Sequence, residues 1–172
     1  MSKNLTNLPN GIQSIALSFS GGGFRAAAFT LGCSSYLQAV PYEQGELLQK
    51  VKFISSTSGG SITNLMLAYY LSQGKSFEAC YERLLELMEG TKLLDDAMIF
   101  LTNDSVWEDR PTKSRNLINA FAMVYDRDYF SGGQFASLFN PVNPSEFFIE
   151  EICANTTDFD NGLNFRFGLK GK

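Results

Sequence analysis

Histidine is absent from all 172 residues, and this removes more chemistry than any other feature of the composition. A Ser-His-Asp triad cannot be assembled within the chain, and a zinc site is left without its commonest ligand. Any nucleophilic chemistry here has to use a base other than imidazole. Cysteine is scarce too: Cys33, Cys80 and Cys153 are far apart and form no C-x-x-C pair. That argues against a disulfide framework and for a reducing, cytoplasmic compartment. An excess of basic residues is also missing. The net charge is -4 and the pI near 4.8, so no basic stripe is available to neutralise phosphates, and nucleic acid is not an expected partner. No unbroken apolar run is long enough to span a bilayer. The uncharged stretch from Ile15 to Val40 is interrupted by Arg25 and by Gly21-Gly22-Gly23, which reads as a buried strand, turn and helix. The polar opening from Met1 to Gln13, with Pro9 and Gly11, does not read as a secretory signal.

What is present suits a single globular domain. Hydrophobic residues make up 44% and charged residues 19%, too apolar for a disordered chain. A chain of this length can bury roughly 70% of the surface its unfolded form exposes. Ile15 to Phe19 reads as a short buried strand, and a helix is predicted from Phe24 to Gln38, stopped by Pro41. A second strand, Val51 to Ser55, leads into Ser56-Thr57-Ser58-Gly59-Gly60 and a buried helix from Ser61 to Ser72. The spacing of Phe77, Cys80, Leu84 and Met88 predicts another helix over 77–89, with Glu78, Glu82, Glu86 and Glu89 on its solvated face. Thr91 to Lys113, with the only tryptophan, Trp107, reads as an irregular acidic segment, and as a mobile cover or plain filler. Leu117, Ile118, Phe121, Val124 and Tyr125 mark one more amphipathic helix. Two late strands, 152–156 and 163–167, are joined by a hairpin turn at Asp160-Asn161-Gly162. Alternating strands and helices at the start predict an α/β fold with a mostly parallel sheet and a late antiparallel addition.

Two segments carry chemistry. Gly21-Gly22-Gly23-Phe24-Arg25 lies between a strand and a helix. Successive glycines can turn backbone N–H groups outward where the helix N-terminus adds partial positive charge, which makes a phosphate cradle or an oxyanion hole. A Walker loop is excluded, since no Gly-Lys-Ser/Thr follows. Gly21, Gly23 and Ala26 do fit G-x-G-x-x-A, but the dinucleotide reading needs an acidic residue at the tip of the second strand, and Ile54-Ser55-Ser56 offers none. A glycine turn with a purely structural role stays open.

The second segment, Ser56-Thr57-Ser58-Gly59-Gly60, has the pattern of a nucleophile elbow, which holds serine on a strained strand-to-helix turn above the sheet edge. Ser56 stands in place of the usual first glycine, and Gly60 keeps the second. Alone, such a run is more often a plain loop. As a pair the segments are more specific: neighbouring parallel strands would bring a hydroxyl and N–H donors to one acyl carbonyl, with the Gly59 N–H as a further donor.

Taken together, Ser20-Gly21-Gly22-Gly23-Phe24-Arg25, Ser56-Thr57-Ser58-Gly59-Gly60 and the stretch Asn155-Thr156-Thr157-Asp158 to Gly162-Leu163-Asn164-Phe165 resemble the patatin-like phospholipases, from about Ile15 to Phe167. The resemblance implies a three-layer α/β/α fold and lipid acyl hydrolysis by a Ser-Asp dyad, with no metal and no cofactor. It implies Ser58 as nucleophile and Gly21, Gly22 and Gly23 as the oxyanion hole. Arg25 would stabilise the loop or face anionic head groups. The expected substrate is a phospholipid or another acyl lipid, met in transient contact with a membrane surface by a cytoplasmic protein.

Three positions depart from the family's pattern. Ser56 and Ala26 stand where the family has glycine. The dyad aspartate belongs to an Asp-Gly-Gly or Asp-Gly-Ala segment downstream of the hairpin, and Asp160-Asn161-Gly162 is only the nearest imitation. Residues 1–172 therefore read as a single partial domain, incomplete at its carboxyl end, whose acid is supplied by another segment or a second chain. The alternative is a fragment or inactive relative that binds lipid or a partner without catalysis.

Overall fold

The computed structural model describes residues 11–89, 91–158 and 160–169. Strand β1 (Ile15–Phe19) leads into helix α1 (Gly23–Ala39). The helix stops because Pro41 forces Val40 into an extended conformation. A two-residue-per-strand hairpin follows, β2 (Pro41–Tyr42) with β3 (Gly45–Glu46), and a 3₁₀ turn at Leu47–Lys50 delivers the chain to β4 (Val51–Thr57). Helix α2 (Gly59–Ser72) starts one residue beyond that strand.

The sheet order is β1-β4-β5-β6, where β5 is Glu151–Asp158 and β6 is Leu163–Leu169. The first three strands are parallel and β6 is antiparallel to β5. The expected hairpin turn is present at 160–162, where Gly162 adopts φ +65°, a conformation that costs a glycine nothing. The mostly parallel sheet with helices packed on it is the α/β, patatin-like architecture the sequence leads one to expect.

Register decides which side chains share a face. Leu17 pairs with Ile54 and Phe19 with Ser56, while on the other side Ile152 pairs with Ile54 and Ala154 with Ser56. All of these point the same way, and α2 lies across them: the Asn64 amide donates to the Ile54 carbonyl at 3.4 Å. Helix α1 packs on α2, where the Thr63 hydroxyl donates to the Ala27 carbonyl at 2.9 Å. The main core forms there, from Phe19, Val51, Ile54, Met66, Leu67 and Ile152. Fully burying each such side chain contributes about 1.5–3 kcal/mol.

Helix α3 (Phe77–Leu87) adds Phe77, Cys80, Leu84 and Leu87 to that core. Its start is fixed by Ser76, whose hydroxyl accepts from the Ala79 N–H at 3.2 Å. The four glutamates of α3 and its end are exposed, as their spacing predicts. Burial holds the Cys80 thiol protonated by pushing its pKa up to about 12, so this cysteine packs as a small hydrophobe.

The segment 91–113 is not irregular. It forms α4 (Lys92–Thr102) and α5 (Asp104–Glu108), which pack with α6 (Leu117–Val124) around Ala97, Trp107, Ala120 and Val124. Trp107 is a structural anchor: it is buried and its indole donates to the Phe100 carbonyl at 2.9 Å. Asp95 and Asp96 hid the helical repeat of Leu93, Ala97, Phe100 and Leu101 from a reading weighted by charge. Asn116 caps α6 by accepting from the Asn119 N–H at 2.9 Å, and the helix continues into a π-helical turn at Tyr125–Tyr129. Among the described residues no helix is long and apolar enough to cross a membrane.

Candidate active site

Because Phe19 and Ser56 are register partners, β1 and β4 end side by side, and the segments that follow them leave the sheet together. The glycine loop turns on Gly22, with φ 141° and ψ 26°, and Gly23, with φ 61°. Those conformations strain any residue with a Cβ. They rotate the backbone into the first turn of α1, as an anion-receiving loop requires.

Ser58 occupies the turn between β4 and α2 with φ 50° and ψ -124°. A non-glycine residue there carries strain of about 1–3 kcal/mol. This is the geometry of a nucleophile elbow, and it leaves Ser58 exposed at the sheet edge. The close packing that an elbow demands is present. A Cβ added to Gly60 would lie 2.7 Å from both Phe19 Cβ and the Ser20 carbonyl oxygen. A Cβ added to Gly21 would lie 3.1 Å from Ser58 Cβ and 3.8 Å from Ser58 Oγ. The loop and the hydroxyl are therefore immediate neighbours.

The serine at position 56, unusual for an elbow, has a polar niche. Its side chain turns under α2, is 1% exposed, and donates to the Cys153 carbonyl at 3.3 Å. It accepts from the Asn64 amide at 2.8 Å and from the Ser61 hydroxyl at 3.1 Å. Three elements are thereby joined beneath the elbow: β5, β4 and α2. The Asn64 Oδ1 is buried without a partner among the described residues, so this network is one donor short.

Asn155 braces the other side. From β5 its amide donates to the Ser55 hydroxyl and to the Ser56 carbonyl, both at 3.0 Å. It thus holds the strand three and two residues ahead of Ser58. The sequence pattern placed Asn155 in a hairpin without showing this contact. Arg25 is exposed and forms no hydrogen bond or ion pair among the described residues, so neither of its expected tasks is visible there.

Ser58, Gly23 and Gly59 open onto a cavity of about 1000 Å³. Its walls are mostly apolar and come from segments far apart in sequence: Ile62 and Leu65 of α2, Leu93 of α4, Tyr125 and Phe130 around the π turn, and Phe167 of β6. Burial raises the Tyr125 pKa above its ordinary value, so this wall stays a neutral phenol at physiological pH. Asp126 is the one carboxylate in the lining among the described residues. Asp160 is exposed in the hairpin turn and does not line the cavity. The cavity has the volume and the apolar lining to hold a long apolar group, with Ser58 and Gly23 of the glycine loop in its wall.

A parallel α/β sheet, a strained serine at a strand-to-helix turn and a glycine loop beside it define the class as an α/β fold with a nucleophile-elbow turn. The chain belongs to the patatin-like phospholipase family, whose profile matches residues 17–167. That family consists of lipid acyl hydrolases. No curated protein and no solved structure shows significant similarity to the chain.

Proposed function

We propose that the chain is the nucleophile-bearing portion of a serine-dependent acyl hydrolase acting on phospholipid or a related acyl lipid. In this reading Ser58 Oγ attacks the acyl carbonyl carbon. The N–H groups of Gly21, Gly22, Gly23 and Gly59 receive the oxyanion. The ester C–O bond breaks, the alcohol leaves with the proton taken from Ser58, and water then hydrolyses the acyl-enzyme. The base is an aspartate from another segment or a second chain, and no step requires a metal or a cofactor. The observation that carries the reading is the strained Ser58 turn, with Gly21 against its hydroxyl, at the mouth of an apolar cavity.

The cavity rim supports transient contact with a membrane. Beyond Phe167, β6 presents Phe165 and Leu163 at 48% and 64% exposure, and beyond Ala122, α6 presents Ile118 at 78%. With a net charge of -4, a neutral or zwitterionic surface suits the chain better than an anionic one. The protein would then be cytoplasmic and peripheral at membranes.

A non-catalytic lipid-binding module is the second reading. Its support is that Ser58 Oγ has no hydrogen-bond partner among the described residues. One experiment separates the two. A fluorophosphonate should label the full-length protein at Ser58, and Ser58→Ala should abolish both labelling and lipid hydrolysis. Lipid binding without Ser58-dependent labelling or turnover would leave only the second reading.

A further inference from the structure

A second, smaller cavity of about 190 Å³ lies behind the one that holds Ser58. The two share Leu65 and Phe130 as a common wall. Its remaining lining is Tyr69, Gly133, Gln134, Phe135 and Leu138, so its interior is almost wholly apolar and carries no charge. Leu65 is half-buried on α2, and the Phe130 ring meets Tyr69 edge to face at 5.9 Å between centroids. Rotamer changes of Leu65 and Phe130 would join the cavities without moving backbone. The far end is closed more firmly. Gly133 lies so near Tyr69 that an added Cβ would fall 2.4 Å from the ring.

We infer that this second cavity is the subsite for the methyl end of a long acyl chain, with Leu65 and Phe130 as the gate that sets chain-length preference. The inference rests on the acyl-lipid reading of the Ser58 cavity. The carboxyl end sits at Ser58 and the glycine loop. The chain runs along Ile62 to Leu65 and its last methylenes pass the gate. A space lined mostly by apolar atoms and carrying no charge rewards methylenes, at about a fourfold gain in affinity for each one buried. Short acyl chains stop before the gate and gain nothing from the space behind it.

The test is direct binding, which does not depend on turnover. Octanoate, laurate and palmitate are titrated against the 172-residue chain by displacement of a fluorescent fatty acid. Gln134→Trp, at an exposed residue that lines only the second cavity, fills the space from one side, and Phe135→Trp fills it from another. Each should lower the ratio of palmitate to octanoate affinity by at least about tenfold, the worth of roughly two methylenes. Leu65→Ala should raise the same ratio. An unchanged ratio in both tryptophan variants, with each still folded by circular dichroism, overturns the inference. Labelling of Ser58 by a fluorophosphonate in the full-length protein with its aspartate supplied, carrying the same substitutions, keeps the two proposals apart. Labelling with an unchanged ratio removes the subsite and leaves the hydrolase. A changed ratio without labelling keeps the subsite and removes the hydrolase.

Discussion

Gly59 lies against Gly23 so closely that a Cβ on Gly59 would sit 2.0 Å from the Gly23 carbonyl oxygen and 2.9 Å from its nitrogen. The first turn of α2 and the first residue of α1 are thus in backbone-to-backbone contact, with no flexible side chain between them to yield. Gly59→Ala should therefore cost about 1–3 kcal/mol, as overpacking does. At about 2–4 °C of melting temperature per kcal/mol for a chain of this size, the midpoint should fall by several degrees. The more telling readout is reactivity: fluorophosphonate labelling of Ser58 should drop further than the stability loss accounts for. A variant that melts early yet labels at the wild-type rate would mean the loop is not the oxyanion hole.

Asn155 and Ser56 brace the elbow from opposite sides, and their removal should have different signatures. Asn155→Ala deletes both bonds to β4 and leaves the Ser56 carbonyl without this donor, a loss of about 1–3 kcal/mol. If it positions the serine, kcat falls while KM holds. Ser56→Ala leaves the buried Asn64 amide without its hydroxyl acceptor and should lower the melting point with little change in kcat. Equal effects of the two variants on kcat would argue against this division.

These two residues also mark where sequence reasoning stops. The elbow and glycine loop were legible only as a pair: each alone reads as a plain loop, and their position after two neighbouring strands is what narrows the reading. Ser56 read as a plain departure from glycine, because the pattern does not show that Ser61, Asn64 and the Cys153 carbonyl would surround its hydroxyl. The cavity was less legible still. Leu93, the pair Tyr125 and Phe130, and Phe167 lie on three different segments, and only the packing of α4 against α6 and the pairing of β6 with β5 bring them together. Helix α4 was missed because its apolar repeat is short and interleaved with Asp95 and Asp96.

Arg127 ties α4 to the π turn that carries Tyr125 and Asp126. Its guanidinium reaches Asp96 at 2.7 Å and Asp128 at 2.6 Å, and lies 5.0 Å from the Phe100 ring centre. The hydrogen bond from Arg127 is the main force holding the Asp128 carboxyl below its ordinary pKa. A carboxylate with a depressed folded pKa stabilises the fold above its unfolded value, about pH 4, and loses that contribution as pH falls through the folded value. Arg127→Met should cost on the order of 1 kcal/mol at neutral pH, given that the guanidinium is half exposed and screened. The difference in melting temperature between variant and wild type should shrink below about pH 4 and in high salt. A difference independent of both would assign the effect to packing on Phe100.

The isolated 172-residue chain should turn over short-chain esters only weakly. A serine hydroxyl is a poor nucleophile until a positioned base accepts its proton, and none is hydrogen-bonded to Ser58 among the described residues. In triad enzymes the loss of one member costs about 10⁴- to 10⁶-fold in kcat, and the remainder comes from the oxyanion hole and binding. A complete gene product that supplies the aspartate should restore turnover that Ser58→Ala abolishes. Robust Ser58-dependent hydrolysis by the purified chain would sink this expectation and place the base among its own carboxylates. Asp126 is then the first to replace, because among the carboxylates of the described residues it alone lines the cavity with Ser58. Asp160, the nearest imitation of the family's aspartate segment by sequence, sits in the hairpin turn. Its N–H donates to Asp158 Oδ1 at 3.1 Å. Asp126→Asn should then remove the activity, whereas Asp160→Asn should leave it intact. The reverse result would require the β5–β6 turn to fold back over the elbow.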